Sequence, residues 1–198
     1  MRELNEKHRN KNRMSLFDFQ PLLDKWNIQW DARELLEMWN EPHRAYHTDS
    51  HLNDLVGQIA ECDEVDEHER EMLYLAALFH DVVYDPWRSD NEIRSVHILL
   101  ERASDTEDIR HIAQIISDTR NHRPTSTLSA IFCQMDMSVV LGPWEELIAW
   151  EVGIAFEYSF LPKDEYRKKR LEFLREMVRV YPQNAKSLQM LIDSLSSS

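Results

Sequence analysis

Apolar residues recur at helical spacing along this chain, and strand-like alternation persists nowhere. Asp31 can cap a helix that carries Leu35, Leu36 and Trp39. Leu52, Leu55, Val56 and Ile59 repeat at the same period, and so do Leu73, Ala76, Ala77 and His80. His80 therefore falls on the buried face of its helix. Ile93, Val96, His97 and Leu100 predict another apolar stripe, and Ile109, Ile112, Ala113 and Ile116 the next. Pro124 and Pro143 can each open a helix near its first turn. Two long patterns run from Trp144 to Phe160 and from Lys163 to Val180, with Pro162 between them and Pro182 after the second. A short helix is expected over Ala185 to Leu195. With no internal repeat and no long linker, the fold expected is all-α. It is a single compact bundle of about eight to ten helices over 16–195, behind a charged tail at 1–15.

Composition removes several classes of function. The chain has 198 residues, 36 acidic and 23 basic, for a net charge of −13. That balance argues against a general nucleic-acid binder, which needs a basic face. The three glycines, Gly57, Gly142 and Gly153, are too scattered to build a phosphate-cradling loop. Two cysteines, Cys62 and Cys133, cannot make a zinc finger or an all-thiolate cluster, and they read as reduced thiols. Met1 to Arg13 lacks the apolar centre of a signal peptide. The longest apolar run, Met72 to Phe79, is eight residues, against the roughly 20 that span a bilayer. A cytoplasmic protein with no membrane partner is expected. Its oligomeric state is open, homo-oligomers included.

With nine histidines and so few thiols, any metal here is held by nitrogen and oxygen. The strongest signal is His80-Asp81, at the end of an apolar helix. Burying that pair is costly unless each group is satisfied. A divalent cation does so, and so does a hydrogen-bonded core histidine beside a turn-capping aspartate. Upstream, His47 and His51 lie four apart in YHTDSH, on one face if helical. Downstream, Asp136 follows the apolar Ile131 and Phe132. His51, His80, Asp81 and Asp136 together would make a nitrogen–oxygen site suited to Mn, Mg, Fe, Co, Ni or Zn.

At these residues the chain resembles the HD-domain superfamily of metal-dependent phosphohydrolases. That pattern is a histidine, a His-Asp pair and a distant aspartate, met here as His51, His80-Asp81 and Asp136. The closer resemblance is to a family of predicted HD phosphohydrolases of about 200 residues, whose strings look like YHTxxH, FHDxVYDP, DNExxS and MDxSxLG. This chain has YHTDSH, FHDVVYDP, DNEIRS and MDMSVVLG in that order, over about Trp39 to Val180. The resemblance implies an HD-like helical bundle, the four metal ligands named above and hydrolysis of a phosphate ester.

YHTDSH also resembles the YHNxxH of cyclic-nucleotide phosphodiesterases, which implies His47 as general acid and His51 as ligand. The other role open to His47 is a hydrogen bond to a ligand. That family's third histidine is missing from His80-Asp81-Val82-Val83-Tyr84, so a cyclic-nucleotide substrate does not carry over. In related HD nucleotidases and pyrophosphohydrolases, acids after the HD pair assist water activation. Asp85 and Glu92 are the positions that match here. Asp90 or Asn91 can cap the helix that Glu92 opens.

A bound cation would acidify its water and draw charge from a phosphoryl oxygen. Asp81, beside the metal, could ligate and orient that water. Arg44, Arg94, Arg120 and His122 are the basic candidates for gripping phosphate, Arg44 first, since a guanidinium suits phosphate geometry. Each is equally a helix-end or surface charge, and His122 could instead hold a second metal. The expectation is a metal-dependent phosphohydrolase acting on a small phosphorylated substrate, nucleotides among the candidates. The alternatives are a di-iron oxygenase, which would draw on His122 or His111 for further ligands, and a non-catalytic metal-containing interaction module.

Overall fold

The computed structural model describes residues 19–197; the expected tail at 1–15 lies outside them. Among the described residues there are ten α-helices and no strand, as the periodicity predicts. In chain order they are α1 Phe19–Lys25, α2 Ala32–Trp39, α3 Asp49–Ala60, α4 Glu67–Phe79 and α5 Asn91–Arg102. Then come α6 Glu107–Thr119, α7 Thr127–Asp136, α8 Trp144–Glu157, α9 Lys163–Val180 and α10 Ala185–Ser196. Short 3-10 turns occupy Ser138–Leu141 and Pro182–Asn184. None of these helices is long and apolar enough to cross a membrane.

The chain divides into two compact units. One holds 19–41 and 47–135, the other 42–46 and 136 onward. The chain passes between them at residue pairs 41/42, 46/47 and 135/136. None of these junctions is a linker, so a reading that looks for linkers sees one domain over 16–195.

The first unit is organised around α4. All eight residues from Met72 to Phe79 are buried, the pattern of a helix surrounded on every side. Asp66 and Glu69 close its N-terminus with a reciprocal capping box. Arg70 reaches back to the end of α3, donating to the carbonyls of Ile59 and Cys62. Those carbonyls stand at a helix C-terminus, where a cation is favoured. This ties α3 to α4 and so relates His51 to His80.

On α5 the expected stripe is displaced. Ile93 and Leu100 are 42% exposed and His97 is exposed, whereas Asn91, Ser95 and Leu99 are buried. Two polar side chains face inward because each bonds to main chain. Asn91 Oδ1 accepts from Asp85 N at 3.1 Å and its Nδ2 donates to Asp85 O at 3.0 Å. Ser95 Oγ accepts from Val83 N at 3.1 Å. The expected side-chain cap also fails. Asp90 occupies the cap position without a capping bond, because Arg88 grips its carboxylate with two 2.7 Å contacts.

Asp118 joins α6 to the start of α7. Its carboxylate accepts from Thr125 N and Oγ1, Ser129 Oγ and Gln114 Nε2. Burial works against the ionised group, but these donors outweigh it, and its pKa is lowered. A depressed carboxylate contributes stability above its unfolded value of about 3.9, and that contribution is lost as pH falls through the folded value. Asp118→Ala should cost about 1–3 kcal/mol in urea denaturation at pH 7, because the buried Ser129 hydroxyl loses its acceptor along with the links to Thr125 and Gln114. The difference from wild type should shrink as the titration moves into acid.

In the second unit, Leu147, Trp150, Ile154, Leu174, Leu188, Leu191 and Ile192 form the core. A buried ion pair crosses it, Arg170 Nε to Glu151 Oε2 at 2.7 Å, with Tyr166 OH donating to Oε1 at 2.6 Å. Arg170 also lies 4.0 Å over the Trp150 ring. Segment 42–46 is held against α8 by Glu157, whose Oε1 accepts from Ala45 N at 2.8 Å and Tyr46 N at 2.7 Å. Gly153 allows the approach, because a Cβ there would stand 2.9 Å from Tyr46 Cβ and 3.2 Å from its nitrogen. Inside a helix Gly→Ala ordinarily stabilises by roughly 0.5–1 kcal/mol. Gly153→Ala should reverse that sign and lower the melting temperature, since main chain must move to admit the methyl.

Candidate metal centre

Three helix ends supply the centre. His51 lies in the first turn of α3, whose N-cap Thr48 accepts from Ser50 N. His80 directly follows α4, and Asp136 is the last residue of α7. All of α7 except Asp136 belongs to the first unit, so that helix fixes where the carboxylate stands. One ligand atom from each of His51, His80 and Asp136 lies within 4.8 Å of the other two. Both histidines are buried, at 7% and 0% exposed.

The orientation of the His80 ring follows from its contacts. Nδ1 is 2.9 Å from the carbonyl of Ala77, which can only accept, so Nδ1 donates there and Nε2 is the nitrogen turned toward the centre. Nε2 lies 3.2 Å from Asp81 Oδ2. An imidazole nitrogen and a carboxylate oxygen thus meet at a largely buried spot, where a shared proton or a shared cation satisfies both. Neighbouring donors on a cation, each about 2.1 Å from it, stand about 3 Å apart. The His80–Asp81 spacing matches such a pair, and the three clustered residues could hold a divalent ion. Asp81 joins this group through His80; the mutually clustered set is His51, His80 and Asp136.

The imidazoles are walled by aromatic rings. Trp39 from α2 lies 5.4 Å from the His80 ring and 6.4 Å from that of His51, with its own Nε1 donating to Leu78 O at 2.9 Å. Phe132 from α7 meets His80 edge-on at 5.4 Å. Gln58, two turns along α3 from His51, donates to Met135 O at 3.3 Å, beside Asp136.

The other expected residues divide. His47 belongs to the centre, with Nε2 4.0 Å from Asp81 Oδ2 and its ring stacked at 4.1 Å on Tyr84. Glu92, half-buried in the first turn of α5, has its pKa raised by burial and by the charge of Asp81, with Arg120 and His122 acting the other way. These four groups share one electrostatic neighbourhood. The backbone of His122 is left-handed, with φ of 49°. Asp85 instead serves its own turn, Oδ1 accepting from Trp87 N at 3.0 Å. Arg94 is exposed on α5, and His111 Nε2 lies 3.1 Å from Ser126 Oγ. Arg44 is buried in segment 42–46 of the second unit.

Reading the sequence missed Trp39 as a wall of the site, gave no role to Tyr84 or Ser95, and offered Asn91 only as a helix cap. The last three carried a signal, because they are fixed letters of the strings FHDxVYDP and DNExxS. No family model matches the chain, and neither the curated proteins nor the solved structures provide a match.

A raised carboxyl pKa is a cost of holding the ionised form, absent below the unfolded value of about 4.3 and growing as pH rises through the folded one. In metal-free protein Glu92→Gln should therefore gain stability over wild type as pH goes from 4 to 7. Urea denaturation across that range checks the sign.

Proposed function

We propose that this chain is a metal-dependent phosphohydrolase that cleaves a small phosphate ester, a nucleotide among the candidates, in a reducing, cytoplasmic setting. The observation that carries the reading is the convergence of His51, His80 and Asp136 within 4.8 Å, with Asp81 and His47 beside them. These residues would hold the cation, and the donor set admits Mn, Mg, Fe, Co, Ni or Zn. When bound, such an ion supplies a water of lowered pKa and draws charge from a phosphoryl oxygen.

The chain's own groups do the rest. Asp81 accepts a hydrogen bond from the attacking water and aims it. As the new P–O bond forms and the ester P–O bond breaks, His47 gives a proton to the departing oxygen. Arg120 supplies positive charge near Glu92, with the His122 ring in the same neighbourhood, and an anionic substrate needs such charge on a protein of charge −13. The aromatic walls exclude water from the imidazoles and hold their planes.

The test is phosphate release from a panel of esters with Mn2+ present. Activity should require the metal and vanish with a chelator. Asp81→Ala should lose both metal and turnover, whereas His47→Ala should keep the metal and lose about 10²–10⁴ in rate. Absence of release from wild-type protein shown to hold Mn2+ would overturn the proposal. Two bound irons with an oxygen-dependent spectrum would point to oxygenase chemistry instead.

A further inference from the structure

Two of the strings that mark this chain meet at one residue. Tyr84 lies four residues after His80 and is only 8% exposed, yet it belongs to neither apolar core of the described residues. Its ring lies against His47, centroids 4.1 Å apart and planes inclined by 26°. A stack of this kind fixes the plane of an imidazole without using either nitrogen.

The main chain on both sides of Tyr84 is clamped. Ser95 Oγ accepts from Val83 N at 3.1 Å and donates to Val83 O at 3.4 Å. Asn91 accepts from Asp85 N and donates to Asp85 O. One buried side chain thus mimics a paired strand for the residue before Tyr84, and another does so for the residue after it. Both come from the inward face of α5, the face whose polar character contradicts an ordinary amphipathic helix.

We propose that Tyr84 is a positioning residue that sets the ring of His47, and that Asn91 and Ser95 exist to hold Tyr84 there. The stack keeps His47 Nε2 on the side of Asp81, at 4.0 Å. The functional consequence rests on the reading of His47 as the proton donor; the geometric claim is tested separately.

The experiment follows the ring protons of His47 by NMR in metal-free protein carrying labelled histidine, with His47→Gln giving the assignment. Shielding by the Tyr84 ring should place them upfield. Tyr84→Phe should leave them there, Tyr84→Leu should move them downfield, and Asn91→Ala should move them part of the way. With Mn2+ and glycerol 2-phosphate, whose departing alkoxide needs a proton, Tyr84→Leu should lower kcat on the order of tenfold, because misplacing a catalytic group costs rate. KM and Mn2+ affinity should hold within about twofold, and Tyr84→Phe should restore kcat.

The proposal fails if Tyr84→Leu leaves the His47 signals in place, or if Tyr84→Phe shifts them as far as Tyr84→Leu does. Should Tyr84→Leu not fold, Asn91→Ala decides, and unmoved His47 signals in that variant overturn the clamp. If the signals behave as expected while wild type releases no phosphate, the positioning role stands and the phosphohydrolase reading falls.

Discussion

The hydrogen bond from His80 Nδ1 to the carbonyl of Ala77 fixes the plane of that imidazole and turns Nε2 toward Asp81. Ala77 lies in the last turn of α4, where carbonyls have run out of helical partners. The helix end thus needs a donor and the histidine needs a fixed orientation, and one bond meets both needs. Nε2 is left facing Asp81, itself buried while the carboxylate keeps some contact with solvent. The capping box at Asp66, the Arg70 bridge to α3 and the full burial of Met72 to Phe79 all serve to keep that histidine where it is. Outer contacts of this kind orient metal-binding histidines generally and raise their basicity as ligands.

Legibility in the sequence followed the physics of each element. The stripes on α3, α4 and α6 were plain because apolar burial alone decides those faces, and Leu52, Leu55, Ile59, Ile112 and Ile116 are all buried as expected. On α5 the same reasoning failed, because hydrogen bonds to main chain 12 and six residues away in sequence outweighed the apolar pattern. No periodicity registers that. Of the candidate site, the histidines and aspartates were legible through their strings. The roles of Trp39 and Tyr84 were not, since an aromatic residue at helical spacing or in a loop looks the same whether it packs a core or walls a site.

Gly153 belongs to the same category of hidden constraint. In the sequence it is a helix-weakening residue inside a good helical pattern. Its reason appears only when Tyr46 stands where a side chain would be. Glu157, another residue of α8, looks like a solvated charge until Ala45 and Tyr46 are seen to donate to it. Both requirements concern a five-residue segment, 42–46, that reaches its unit from across the chain.

That arrangement has a consequence for the order in which the molecule can be assembled as it is made. Ala45 is synthesised 112 residues before the carboxylate that anchors it. At about 5–20 residues per second, the nascent chain waits roughly 6–20 s before Glu157 has been added. Helices α3 to α7 are complete within that interval, so the first unit has time to gather its own core while the loop leading into His47 is still without its anchor. Segment 42–46 is therefore anchored only by a residue made after every member of the His51, His80 and Asp136 cluster.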